Sequence, residues 1–281
     1  MPKLIKSIKS IKPIKKKVVV FDLDETLGYF GQLGRFCNII DNYYHNSNKS
    51  YSIFNELMDL YPEFSRPNIF NILKYLLQKK KENKCEALMI YTNNTGEKKW
   101  AEHIKNYYEH KINSKLFEQI IAAFKINGKI VEINRTTHEK CIDDFFRCTK
   151  LSSDIEICFI DDLHHPKMIH DNVYYIHVKE YKYTIPADEM MDRFLKSSLS
   201  SDIKDKEDFK KFSLFDLKYN IVEKDNKEQE IDVIIGKKML EHIKEFFDKD
   251  EPKIELKGYN KNQKSFKKTN KTNNNKTLKK K

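Results

Sequence analysis

The run Val18-Val19-Val20-Phe21-Asp22-Leu23-Asp24-Glu25-Thr26 constrains the fold of this chain more than any other segment. Four consecutive apolar residues of high strand propensity make a short buried strand. A period of two then sets Asp22 and Asp24 on one face where that strand ends. Two carboxylates at the carboxyl end of a buried strand, with Thr26 following, are a pattern that suits Mg²⁺ and a phosphoryl group. An acidic loop after a strand is the plain alternative, and the rest of the chain has to separate the two.

The pattern of strand, polar turn and helix recurs. Arg66-Pro67 predicts the first turn of a helix with Ile69, Phe70, Leu73, Leu76 and Leu77 on one face. Glu86 to Thr92 reads as a second strand, and Asn93-Asn94-Thr95-Gly96 leads into a helix with Trp100, Ile104, Tyr108 and Ile112 inward. Gln119 to Phe124 is a third strand, and Asn127-Gly128 predicts a tight hairpin. Thr136-Thr137-His138-Glu139 fits a capping box opening a helix, with Lys140 in its first turn. Ile155 to Ile160 is a strand ending in Asp161-Asp162, and Tyr174 to Val178 a further one. Such alternation predicts an α/β fold with a doubly wound, mostly parallel, Rossmann-like sheet.

In such sheets ligands sit outside the carboxyl ends of the strands. Asp22, Asp24 and Thr26 follow one strand, Thr92, Asn93 and Asn94 another, and Asp161-Asp162 a third. An isolated acidic loop does not account for the other two clusters. Thr92 and the turn amides after it suit hydrogen bonding to phosphoryl oxygens where a helix begins. His164, His165 and His170 read as loop histidines near the rim, and Trp100 as core.

The ends of the chain differ from its middle. Residues 1–17 carry seven lysines and residues 257–281 carry ten, neither with an acid, which leaves 36 basic against 42 acidic residues between them. The net charge of +11 therefore belongs to the ends. The expected organisation is a basic flexible arm at 1–14, a catalytic domain at 15–197 with a flap or cap insertion at 28–65, a linker and amphipathic helical extension at 198–256, and a disordered Lys/Asn-rich tail at 257–281. Five cysteines without paired spacing argue against structural zinc and a disulfide framework. No apolar run approaches the ~18 residues that span a bilayer, so a soluble intracellular protein without a membrane partner is expected.

Taken together, DxDxT at Asp22, Asp24 and Thr26, the strand-terminal Thr92 and the acidic pair Asp161-Asp162 resemble the haloacid dehalogenase-like (HAD) superfamily. More narrowly, DLDETL, Arg66-Pro67 and FIDD resemble the FCP/SCP-like C-terminal-domain phosphatases. The likeness covers roughly residues 17–195. It implies a Mg²⁺-dependent phosphatase in which Asp22 is the nucleophile, Asp24 the general acid and base, Thr92 and Lys140 complete the catalytic set, and Thr26, Asn93 and Asn94 contact substrate. Metal ligands implied are Asp22, the backbone carbonyl of Asp24, and Asp162, with Asp161 close behind. The favoured substrate is phosphoserine or phosphothreonine in a protein. Alternatives are a polynucleotide or small-metabolite phosphatase, or a binding protein with a vestigial site, drawn to nucleic acid or an acidic partner by the Lys-rich ends.

Overall fold

A computed structural model describes residues 16–249 apart from 47, 97 and 218–220. The expected arm at 1–14 and tail at 257–281 lie outside the described residues, as do residues 250–256 of the expected extension. The first element among the described residues is β1 (Lys17–Phe21), buried along its whole length. Residues 28–65 follow as α1 (Gly31–Tyr43), α2 (Lys49–Ser52), α3 (Phe54–Leu60) and a 3-10 turn at Pro62–Phe64. Then come α4 (Ile69–Lys81), β2 (Ala87–Tyr91), α5 (Lys98–Lys111), β3 (Phe117–Ile121) and a hairpin of β4 (Lys125–Ile126) and β5 (Lys129–Ile130). The remainder is α6 (Ile142–Thr149), β6 (Glu156–Asp161), β7 (Val173–His177), α7 (Ala187–Lys196), α8 (Lys206–Asp216) and α9 (Asn226–Asp248).

Five strands form one sheet in the order β3-β2-β1-β6-β7, and every neighbouring pair is parallel. The strand period of two divides the core. Val19, Phe21, Leu88, Ile90, Cys158 and Ile160 share one buried cluster with residues of α1, α3, α4, α5, α7 and α9. Val18, Val20, Met89, Tyr91, Ile157 and Phe159 share the other with Phe145 and Cys148 of α6. Helices on both faces make this the expected α/β architecture. From β1 the chain adds strands in one direction, then crosses over to add β6 and β7 on the other side, which opens a crevice at the carboxyl ends of β1 and β6.

Several local expectations are corrected. The stretch 28–65, expected as a flap or cap insertion whose fold the sequence leaves open, is helical: Leu33, Phe36, Ile40, Leu57 and Phe64 are fully buried in the main core, and a Gly28–Ser65 bridge closes it at its base. The helix after Arg66-Pro67 begins only at Ile69, because Asn68 takes a left-handed φ of 70° and leaves Pro67 in a turn. The capping box at Thr136-Glu139 does not form. Helix α6 starts at Ile142 behind Cys141, and Asp144 instead accepts bonds from both the amide and the hydroxyl of Thr136 (each 3.0 Å), so Lys140 precedes the helix. The expected linker after residue 197 folds as a 3-10 turn at Ser198–Ser200 and α8, with Phe209 buried 4.7 Å from the Tyr43 ring of α1. Asn127-Gly128 does form the hairpin turn, with φ of 49° and 77° at its two centre residues.

The amphipathic helix α9 docks on this body. A Cβ on Gly236 would lie 2.1 Å from the Pro67 carbonyl oxygen, so only glycine allows that approach, and Asn68 Nδ2 donates to Gly236 O at 2.9 Å. At its other end Lys17 Nζ donates to the carbonyls of Phe246 (2.7 Å) and Phe247 (3.3 Å), satisfying the last turn of the helix. Among the described residues no helix is long and apolar enough to cross a membrane.

Candidate active site

The site is built outward from the end of β1. The Asp22 amide donates to Ile160 O at 2.9 Å, which continues the β1–β6 ladder by one residue and aims the Asp22 carboxyl into the crevice between those strands. Beyond it the chain turns sharply, with Glu25 at φ 60°. Such a backbone is costly for a residue with a side chain and persists where surroundings over-determine it. Arg66 supplies that constraint: its buried guanidinium donates to Thr26 O (Nε, 2.5 Å), Lys179 O (Nη2, 2.9 Å) and Glu25 O. The Tyr181 amide donates to the same Glu25 carbonyl at 2.8 Å.

Asp22, Asp161 and Asp162 are buried and each brings one carboxylate oxygen within 4.8 Å of the others. Lys140, itself buried, donates from Nζ to Asp161 Oδ2 at 2.6 Å and to Asp22 Oδ1. Thr26 Oγ1 donates to Asp162 Oδ1 (2.8 Å) and accepts from the Asp162 amide (3.1 Å), so its hydroxyl hydrogen is committed to a carboxylate of the cluster and is not free for a substrate. His165, read in the sequence as a loop residue, is buried with Nε2 3.3 Å from Asp161 Oδ2. Two residues of β7 brace the same loop. Tyr175 donates to Leu163 O (2.5 Å) and accepts from the His165 amide (3.0 Å), and His177 Nε2 lies 2.8 Å from Asp162 O. His164 stacks on the Tyr175 ring, while His170 is exposed and accepts the Asn172 amide through Nδ1.

Asp24 stands apart from this cluster. Its Oδ2 accepts from Asn94 Nδ2 at 2.6 Å, which turns the side chain toward the loop after β2. That loop is ordered by its own hydrogen bonds: Thr92 Oγ1 accepts from the Asn94 amide (2.9 Å) and Asn94 Oδ1 from the Gly96 amide (2.7 Å). The buried Arg135 guanidinium then ties the carbonyls of Thr92 (3.1 Å), Ala122 (2.9 Å) and His138 (2.9 Å) together and donates to Asn93 Oδ1 at 2.8 Å. Asn94 thus spends its side chain on Asp24 and Gly96 and its amide on Thr92, while Asn93 gives only its Oδ1 to Arg135, so any contact this turn makes to a substrate falls to Asn93 and to the Thr95 amide.

The electrostatics follow from three buried acids sharing one ammonium. Burial pushes the Asp22 carboxyl up to about 8, opposed by Lys140 and reinforced by the Asp161 and Asp24 charges. Asp24 is also raised, by burial above all, with the Asn94 hydrogen bond pulling the other way. Asp162 is raised by burial, against its bond from Thr26. For Asp161 burial is outweighed by His165 and Lys140, and the carboxyl is held below its usual range. Lys140 resists the desolvation that would lower it, because Asp22 and Asp161 hold it charged. Positive charge is in deficit here, and every convergent donor is a hard oxygen. That donor set suits a small hard divalent cation coordinated by a few carboxylates.

The sequence-predicted residues Asp22, Asp24, Thr26, Thr92, Asn93, Asn94, Lys140, Asp161 and Asp162 all line this one end of the sheet. Arg66, Arg135, Tyr175 and His177 were not anticipated as its supports. The five cysteines are free and buried, and none belongs to the carboxylate cluster. Beside Asp24 a cleft of about 1070 Å³ runs between α1–α2 and the loop after β2, lined by residues including Asn38, Asn42, Asn94, Thr95, Lys99 and Trp100. Compared with known proteins, the chain matches no family model, and no curated protein or solved structure matches it at a significant level.

Proposed function

We propose that this protein is a Mg²⁺-dependent phosphomonoesterase of the HAD type that works through an aspartyl phosphate on Asp22. The observation that carries the reading is the division of labour between two aspartates two residues apart. Asp22 is held by Lys140 beside Asp161 and Asp162, whereas Asp24 is held by Asn94 on the side of the cleft.

In the first half-reaction an Asp22 carboxylate oxygen attacks phosphorus, the P–O bond to the leaving group breaks, and Asp24 delivers its proton to the departing oxygen. In the second, Asp24 takes a proton from water, whose oxygen attacks the same phosphorus and frees Asp22 and inorganic phosphate. Burial favours the protonated form of Asp24 that the first half needs. Lys140 stays charged at the nucleophile, where it offsets the approach of one anion to another. Bound among Asp22, Asp161 and Asp162, with the Asp24 carbonyl implied by resemblance, Mg²⁺ would supply the further positive charge that this encounter requires. The loop after β2, ordered by Thr92 and Arg135, offers the backbone amides of Asn93 and Thr95 to the phosphoryl oxygens, those of Asn94 and Gly96 being committed within the turn. Phosphoserine or phosphothreonine in a protein is the favoured substrate, since the cleft beside Asp24 is broad enough for a chain.

The test is turnover of p-nitrophenyl phosphate with and without Mg²⁺ by wild type, Asp22→Asn and Asp24→Asn. Wild type should be active only with Mg²⁺, and both variants should lose at least about a hundredfold in kcat. Wild-type turnover no greater than that of Asp22→Asn would overturn the reading.

A further inference from the structure

The cleft beside Asp24 holds chemistry that the hydrolytic steps leave unused. One wall is a face of α1, where Gly31, Gly34, Asn38 and Asn42 recur at helical spacing; the opposite wall is Thr95, Gly96 and Lys99. The two walls meet at Trp100, whose ring a Cβ on Gly34 would approach at 3.4 Å and which stands edge-on to Phe54 at 5.4 Å. Trp100 thus closes one side of the cleft, and the exposed side chains of Asn38 and Asn42 project from a helix whose other face is core. Their amides make no hydrogen bond with any described residue, unlike Asp41 beside them, whose oxygens take the Ser50 amide (2.7 Å) and hydroxyl (3.1 Å).

A primary amide on a rigid helix presents one acceptor and a pair of donors, the complement of a peptide bond. A polyanion needs cations along its path, since phosphate contacts dominate nucleic-acid affinity. Of the described residues lining this cleft only Lys99 carries a permanent positive charge, and Asp24 and Asp41 oppose it. We infer that the cleft is the leaving-group recognition site, and that Asn38 and Asn42 select an uncharged polypeptide segment over a polynucleotide by pairing with its backbone. The inference rests on the phosphatase reading for its placement beside Asp24, and it adds the residues that choose the substrate. Both asparagines would be specificity residues, since they line the cleft and are not part of the Asp22, Asp161 and Asp162 cluster.

Two probes separate the outcomes: a ten-residue phosphoserine peptide with uncharged flanks, and a 5′-phosphorylated ten-nucleotide single strand. Binding of each, fluorescently labelled, is read by anisotropy with Mg²⁺ present, alongside phosphate release from each and from p-nitrophenyl phosphate. The Asn38→Ala/Asn42→Ala variant is expected to fold, because both positions are exposed on a helix where alanine is favoured. It should weaken peptide binding about tenfold and lower the ratio of peptide to p-nitrophenyl phosphate kcat/KM by about the same factor, as loss of two hydrogen bonds would. Asn38→Lys/Asn42→Lys should shift preference toward the oligonucleotide. Unchanged peptide affinity in the alanine variant, or an oligonucleotide affinity that falls in that variant by the same factor as the peptide's, would overturn the inference; the comparison within each probe cancels the attraction of the Lys-rich ends for the oligonucleotide. Because binding is read apart from turnover, an inactive wild type that still binds peptide through these asparagines would sink the phosphatase reading and leave the cleft assignment standing.

Discussion

Lys140 donates to Asp161 at 2.6 Å across a separation of 21 residues, and the same ammonium reaches Asp22, so one loop cation joins the ends of β1 and β6. Both strands end in buried acids, and their carboxylates tolerate each other only through such a shared counter-charge.

Lys140→Met should therefore be costly in two ways. Removing one partner of a buried charge network costs about 3–5 kcal/mol of stability. Urea unfolding should show that loss in metal-free protein and partial recovery in millimolar Mg²⁺, because the cation replaces the missing charge. A midpoint equal to wild type in metal-free buffer would refute the role.

The pH response of the metal-free protein has a definite sign. The Asp22 carboxyl is raised from an ordinary 3.8 to about 8, so between those values the native state keeps a proton that the unfolded chain has released. Stability then falls as pH rises through that window. Metal-free wild type should unfold at lower urea at pH 8 than at pH 6, and Asp22→Asn should reduce that slope. Identical slopes for the two proteins would contradict the assignment.

Arg66 is expected to behave as a structural clamp of the loop after β1. Arg66→Lys keeps the charge but cannot span the carbonyls of Thr26, Glu25 and Lys179 from one planar group. Loss of these charge-assisted bonds should destabilise the fold by about 2–4 kcal/mol in urea titrations. A cost below about 0.5 kcal/mol, the range of ordinary surface substitutions, would show that the loop holds its strained turn at Glu25 without it.

Tyr175 supports the loop that carries two of the clustered carboxylates. Tyr175→Phe removes the bonds to Leu163 O and from the His165 amide, which set the path of the loop carrying Asp161 and Asp162. The Mg²⁺ concentration giving half-maximal thermal stabilisation should rise about tenfold, in line with other supports of metal ligands. Unaltered Mg²⁺ dependence would remove Tyr175 from the site.

The candidate site was legible wherever it coincided with a strand end. Asp22, Asp24, Thr92, Asp161 and Asp162 were found because each follows an apolar run, and in a parallel sheet such runs end on the same side. Lys140 is legible only through the resemblance, which calls for a lysine ahead of the Asp161-Asp162 strand, and the helix expected to carry it starts two residues later. The clamping roles of Arg66 and Arg135 are not legible, although Arg66 belongs to a noted motif, because a guanidinium that bonds distant carbonyls leaves no periodicity in the sequence. Tyr175 and His177 were hidden for the same reason: on an outer strand they look like ordinary alternation.

By itself the sequence determined the α/β class, the parallel strands and the acids at their ends, because burial of alternating apolar runs depends on local pattern. Tertiary structure alone decided that Asn94 turns Asp24 away from the cluster, that residues 28–65 are core helices forming one wall of a cleft, and that α9 closes over Pro67 through Gly236. Those outcomes depend on which distant backbone atoms come within a few ångströms of each other. No local pattern encodes such approaches, since the partners are chosen only when the sheet and its helices have packed.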